Sequence, residues 1–173
     1  MIDIQVLQPD DWQLWRSLRL QALAEAPHAF GATLADWQGS GDREQRWRAR
    51  LAIPGSRNVI ARLEGRPVGM VSGVPAERGG DGPDDDAIEL ISMWVSPEAR
   101  GRGVGDQLVG EMERWAAGLG VRTMRLSVRP SNAAAVALYR RHGLKETGES
   151  IGDATPDRTD QERVMAKQVP GRR

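Results

Sequence analysis

The opening stretch MIDIQVLQ sets Ile2, Ile4 and Val6 against Asp3 and Gln5, the period-two alternation of a half-buried strand. After Pro9, with Asp10 or Asp11 as the capping residue, Leu14, Leu18, Ala22 and Leu23 return at helical spacing until Pro27 ends the run. HAFGATLADWQGSGD then predicts a connecting loop, and Asp42 is placed to cap a second, Arg-rich helix through about Ala52. Asn58 to Leu63 and Val68 to Val74 form a hairpin around Glu64-Gly65-Arg66-Pro67. AERGGDGPDDD, at positions 76–86, has no period and predicts a solvent loop. From Ala87, AIELISMWV is apolar and bounded by turn residues, which suits a largely buried strand.

From Val104 the period lengthens again. Val104, Leu108, Met112, Trp115 and Leu119 share one helical stripe, with Gln107, Glu111 and Arg114 off it, and Gly118 and Gly120 close the helix. The stripe is expected to be core. VRTMRLSV is a further strand, and Ser131 or Asn132 caps a last helix that ends at Gly143. Leu144 to Gly148 and Glu162 to Lys167 predict two final strands around a polar loop that includes GDATPDRTD. The order βααβββαβαββ describes one α/β domain over residues 1–168, with VPGRR as a frayed tail at 169–173. A βαβ crossover makes strands 4 and 5 parallel, with ligands expected at their carboxyl ends.

Composition narrows the chemistry. A chain of 173 residues buries a sizeable core as one domain and is short for two. There is no run of about 18 apolar residues, and the acidic N-terminus is unlike a signal peptide, so a cytoplasmic protein is expected. Cysteine is absent and the two histidines, His28 and His142, are far apart, which excludes thiol nucleophiles and makes no metal site the expectation. With 24 basic and 24 acidic residues the net charge is zero, so neither nucleic acid nor membrane is an expected partner.

Three glycines, Gly101, Gly103 and Gly105, crowd the start of the third helix directly after the strand. Unpaired N–H groups and the helix dipole favour an anion there, and glycine lets it approach the backbone. A Walker loop requires Lys after its last glycine, but Asp106 and Gln107 follow Gly105. The dinucleotide fingerprint fails in both starting registers, because its third glycine falls on Asp106 or Leu108. What remains is R-x-x-G-x-G, matched by Arg100-Gly101-Arg102-Gly103-Val104-Gly105. It resembles the acyl-CoA-binding loop of the GNAT superfamily of N-acyltransferases. A second match lies further along: NAAAVALYRRHGL resembles that family's N-x-x-A-x-x-L-Y-x-x-x-G-[FL] helix, with Asn132, Ala135, Leu138, Tyr139, Gly143 and Leu144 in place. Leu144 stands where Phe is commoner, a core exchange.

The resemblance implies a GNAT-type mixed sheet of about six to seven strands with about four helices, and acetyl-CoA as co-substrate. It implies that Arg100, Gly101, Arg102, Gly103, Val104, Gly105 and Asp106 hold the pyrophosphate, and that Asn132 and Ala135 contact the cofactor arm. The arm would lie along Trp94 and Val95, in a slot where the fourth strand splays from the fifth. The Met93 amide falls where the family polarises the thioester carbonyl, Glu89 where several relatives carry the general base, and Tyr139 on the family's general acid. Phe30, Trp37, Trp94 and part of SIGDATPDRTD match the segments that line the acceptor pocket. The activity implied is acetyl transfer to a small-molecule amine; a protein N-acetyltransferase and a non-catalytic acyl-CoA-binding module stay open as alternatives. Members of the superfamily often pair as homodimers, and no residue of this sequence locates an interface.

Overall fold

The computed structural model describes residues 1–26, 33–77, 83–151 and 161–170. Seven strands are ordered by hydrogen bonding as β1-β2-β3-β4-β5-β7-β6, being β1 Ile2–Leu7, β2 Arg57–Leu63, β3 Arg66–Glu77, β4 Pro83–Val95, β5 Thr123–Val128, β6 Lys145–Ile151 and β7 Glu162–Gln168. Four α-helices accompany them: α1 Trp12–Glu25, α2 Glu44–Leu51, α3 Val104–Leu119 and α4 Ala133–Arg141. This is the mixed α/β architecture and element order that the hydrophobic pattern predicts. No described helix is long and apolar enough to cross a membrane. The chain divides into two compact units, Met1–Val74 with Ser92–Leu108, and Pro75–Ile91 with Val109–Arg173.

In the first unit β1 pairs antiparallel with β2 from Ile2↔Leu63 to Leu7↔Asn58, and β2 pairs antiparallel with β3. Trp15, Leu18 and Ala22 of α1 and Trp47 and Leu51 of α2 form a core with Ile60 and Met70. The alternation of β1 reverses near its end, where Leu7 is buried and Val6 exposed. Asp11 stands at the cap position of α1, as expected, but makes no side-chain cap bond to it, and Asp42 does not stand at the cap of α2. Asp11 accepts the Gln8 N–H at 2.8 Å in a capping box around the 3-10 turn Pro9–Asp11. Asp42 takes both Nε and Nη2 of Arg16, at 2.7 and 2.5 Å, and Trp47 Nε1 at 2.8 Å, while α2 begins later with Arg43 at its cap position. Two charge-assisted bonds from one guanidinium outweigh a single cap bond.

In the second unit β4 and β5 are parallel, β5 and β7 antiparallel, and β7 and β6 antiparallel. Met124, Leu126 and Val128 are buried on alternate positions of β5. The register between β6 and β7 shifts between Glu146 and Ser150, around Gly148 with φ +90°. Val169 is buried, and its amide donates to the Arg122 carbonyl at 2.8 Å.

Two expectations need correction. Residues 76–86 are not wholly loop: β3 continues to Glu77 and β4 begins at Pro83. Ladder pairing overrides the weak strand propensity of Pro and Asp, with the Asp86 carbonyl accepting the Arg122 N–H at 2.8 Å. On α3 the core positions include Val104, Leu108, Val109, Met112 and Ala116, whereas Leu119 in the last turn is exposed.

Candidate functional site

The glycine loop lies wholly in the first unit. β4 ends at Val95, the 3-10 turn Pro97–Ala99 follows, and Gly101 and Gly103 take left-handed φ values of +76° and +85° before α3 starts at Val104. A side chain at either would be strained in that conformation, which is where glycine is required. Both are exposed, and a Cβ built on either meets no heavy atom within 4 Å. Left-handed residues alternating with ordinary ones make a concavity of backbone N–H groups, and here it opens onto the positive end of a 16-residue helix. The Gly103 carbonyl accepts the Gln107 N–H at 3.1 Å, so the helix hydrogen bonding begins from the loop itself. Arg102 is exposed, whereas Gly105 and Asp106 are half-buried in the first turn of α3.

Two anchors fix this loop. Arg100 donates from Nε to the Val95 carbonyl at 3.0 Å and from Nη2 to Glu25 Oε2 at 2.8 Å. The same Glu25 oxygen accepts Trp94 Nε1 at 2.9 Å, so one carboxylate at the end of α1 holds both the end of β4 and the first residue of the loop. Burial pushes the Glu25 carboxyl up, but the bonds from Trp94 and Arg100, with the charge of Arg100, together outweigh it and hold the carboxyl below its ordinary value. The second anchor is Gly69 on β3. A Cβ there would stand 3.1 Å from Leu108 Cδ1, 3.1 Å from Val104 Cγ1 and 3.2 Å from the Trp94 carbonyl oxygen. The missing side chain lets the first turn of α3 pack directly on the strand.

Ser92 is left-handed at φ +56°, an uncommon conformation for a residue with a side chain, and it lies within β4 immediately before Met93. Met93 and Val95 are half-buried and Trp94 is buried. Upstream, in the second unit, the β4–β5 register runs from Ala87↔Thr123 to Leu90↔Leu126, although β4 continues to Val95 and β5 to Val128.

Glu89 lies within that paired stretch, opposite Arg125, and is half-buried. Burial pushes its carboxyl up; Arg125 opposes the shift, and the charges of Glu77 and Glu162 reinforce it. Arg125 is partly engaged elsewhere, donating from Nη2 to the Glu77 carbonyl at 2.6 Å. A carboxylate raised in this way is a better proton acceptor near neutral pH.

Asn132 caps α4, its side-chain oxygen accepting the Ala135 N–H at 3.3 Å, and so leaves its amide N–H groups for other partners. Tyr139, about two turns further along α4, is buried, and burial pushes its phenol well above its ordinary value. Its hydroxyl has no hydrogen-bond partner among the described residues. Such a phenol stays protonated at neutral pH and can donate a hydrogen bond, although burial makes it a weaker acid than an exposed tyrosine.

Of the residues matched to the acceptor pocket, Phe30 lies outside the described residues, as do residues 152–160. Trp37 stacks at 4.4 Å on Trp47 in a tilted pair, with the Arg46 guanidinium 3.7 Å from its ring centroid. Met93, Trp94, Val95 and residues 100–106 therefore share the first unit with Trp37, and Glu89, Asn132, Ala135 and Tyr139 share the second. Sequence reasoning missed Glu25 and Ser92. Glu25 is 75 positions from Arg100, and no local pattern connects them.

The model of the acetyltransferase (GNAT) family matches residues 15–144. L-2,4-diaminobutyric acid acetyltransferase of Nocardia farcinica is 31% identical over 106 residues, which are 59% of this chain and 52% of that protein. The chain thus spans about half the length of this relative. Aminoglycoside N(6')-acetyltransferase type 1 of Salmonella enteritidis is 26% identical over 87% of this chain and 96% of its own length. In fold the chain is similar to yncA of Salmonella typhimurium, solved with its cofactor acetyl-CoA, with a TM-score of 0.76 at 20% identity over 100% of this chain and 96% of that one.

Proposed function

The chain belongs to the GNAT acetyltransferase family, and from that membership we propose that it transfers the acetyl group of acetyl-CoA to a primary amine of a small molecule. The observation that carries this reading is the exposed turn at Gly101 and Gly103, left-handed at both glycines and leading directly into α3. Its N–H groups suit a pyrophosphate, and the anchoring of Arg100 by Glu25 and Val95 keeps the turn in place before any ligand arrives. Arg100 serves as the holder of the loop, with Gly101, Arg102, Gly103, Val104, Gly105 and Asp106 as the cradle. The β4 backbone at Met93, Trp94 and Val95, beyond the last pair with β5, offers N–H and C=O groups to an amide-bearing arm. Asn132 and Ala135 serve the same arm from α4.

In the reaction an alkylammonium with a pKa of about 10 first loses a proton. Glu89, raised by burial, is the base, directly or through water. The amine lone pair attacks the acetyl carbonyl carbon, and the Met93 N–H stabilises the charge that develops on oxygen. The C–N bond forms as the C–S bond breaks. Tyr139 then gives its proton to the departing thiolate and regains one as the amide nitrogen sheds its own. The net products are the N-acetylated amine, free CoA and one proton. A small-molecule acceptor is favoured by the names of the relatives, whose acceptors are diaminobutyric acid and aminoglycosides.

The test is thermal unfolding with excess acetyl-CoA beside ATP and NAD. A ligand at about 100 times its Kd adds roughly 2.7 kcal/mol, and the midpoint should rise with acetyl-CoA alone. Gly103→Glu, which sets a charged side chain in the cradle, should abolish the rise. A rise with ATP or NAD alone, or one unaffected by Gly103→Glu, refutes the loop assignment.

A further inference from the structure

Most arginines of the first unit with described partners face a carboxylate: Arg16 faces Asp42, Arg48 faces Asp10 and Glu44, Arg66 faces Glu98 and Arg100 faces Glu25. Arg50, at the end of α2, does not. Its Nη1 donates to Asn58 Oδ1 at 3.2 Å, and its Nη2 donates to Ser72 Oγ at 3.1 Å and Ser92 Oγ at 3.2 Å. These are neutral oxygens, one each from β2, β3 and β4, and the guanidinium lies over the Trp15 ring at 5.2 Å. No carboxylate reaches it among the described residues. Burial alone pushes Arg50 down to about 10, and Arg19, buried beside it, falls to about 10 through burial first and then through the charge of Arg50.

A guanidinium held away from water on neutral partners costs stability that an anion joining it would offset. The oxygens around Arg50 are also fixed in advance. Ser72 donates to Asn58 Oδ1 at 2.6 Å, while Asn58 Nδ2 donates to the Leu51 carbonyl and to Ser56 Oγ, both at 3.3 Å, so the amide oxygen is held toward Arg50. A guanidinium has five N–H donors, and the three bonds above leave Nε–H and one N–H of Nη1. Ser72 and Asn58 are buried, but Arg50 and Ser92 keep partial exposure, so the charge is reachable from solvent.

We infer that Arg50, held by Asn58, Ser72 and Ser92, binds a carboxylate of the acceptor, so that the acceptor is an amine of the amino-acid class. The inference rests on the acetyl-transfer reading above. Ser92 precedes Met93, the residue whose amide is assigned to the acetyl oxygen. The network that holds Arg50 and the Met93 amide are thus neighbours in β4, which suits an acceptor that carries its amine and its carboxylate on one short molecule. Arg19 adds positive potential and draws the anion in.

The experiment follows CoA release from acetyl-CoA with paired acceptors, the proteinogenic amino acids and 2,4-diaminobutyrate beside their decarboxylated amines. For the wild-type chain, kcat/KM should favour the carboxylate-bearing member of at least one pair by about tenfold or more, the scale of a lost hydrogen bond to a charged group. Arg50→Gln should raise KM for that acceptor by a similar factor and leave its decarboxylated partner unchanged. Arg50→Lys, which keeps the charge, should recover part of the difference and serves if the Gln variant fails to fold. Equal use of both members, equal losses for both in the variants, or no turnover of any carboxylate-bearing amine while acetyl-CoA still raises the unfolding midpoint, overturns the inference alone. Loss of the acetyl-CoA effect on the wild-type chain overturns the underlying function instead.

Discussion

Replacing Gly69 by Ala tests whether the glycine loop is positioned from beneath. The φ of Gly69 is not in the left-handed region, so alanine meets no backbone penalty there, and the unfolded chain loses entropy that favours the variant by about 0.4–1 kcal/mol. Against that stands the new Cβ, 3.1 Å from Leu108 Cδ1, 3.1 Å from Val104 Cγ1 and 3.2 Å from the Trp94 carbonyl oxygen. Both side chains are fully buried and the third neighbour is backbone, so none yields without moving others. Overpacking of this kind costs about 1–3 kcal/mol. Taking the middle of each range, the balance is a net loss of about 1.3 kcal/mol, and at roughly 2–4 °C per kcal/mol for a chain of this size the midpoint should fall by about 3–5 °C. Because Val104 opens α3 directly after Gly103, relief by moving that helix also displaces the cradle. Acetyl-CoA affinity should therefore fall together with stability, measured by titrating the midpoint against acetyl-CoA for both proteins. An unchanged or higher midpoint, or lost stability with affinity intact, refutes the argument that Gly69 sets the loop.

Two further outcomes follow from the same geometry. The bonds from Arg16 and Trp47 hold the Asp42 carboxyl down to about 2, so its contribution is complete above the ordinary carboxylate range and is lost as pH falls from about 4 toward 2. Asp42→Asn should lower the unfolding midpoint at neutral pH and converge with wild type near pH 2; parallel curves would contradict this. Tyr139→Phe removes an O–H with no described partner, so kcat should fall while the acetyl-CoA midpoint shift stays, and unchanged turnover would leave Tyr139 a packing residue.

The parts of the fold that could be read from the chain are those set by local periodicity. Met124, Leu126 and Val128 announce β5, and the stripe from Val104 to Met112 announces the buried face of α3. Gly101 and Gly103 are legible because a left-handed turn demands a residue type that spacing alone reveals. Where long-range partners decide, the sequence is silent. Asp42 looks like a helix cap until Arg16 arrives from another helix. Asp84 to Asp86 look like loop until β4 finds its ladder. Arg50 sits in a helix so rich in arginine that nothing singles it out, and its meaning depends on Asn58, Ser72 and Ser92 from separate strands. The left-handed Ser92 has no signature either, since serine rarely adopts that conformation and does so here under the constraint of the strand around it.

The break in register between β6 and β7 has a consequence for how copies of the chain meet. Among the described residues β6 has one hydrogen-bonded neighbour, β7, so its other edge is the kind that recruits strands from other molecules. Lys145, Glu146 and Glu149 are exposed along it, and the irregularity around Gly148 bends the strand out of a flat row of donors and acceptors. A second copy adding its own β6 there would oppose charged side chains across a bulged edge. Charged side chains and a broken register make this edge a poorer template for sideways growth of the sheet than a flat apolar strand would be.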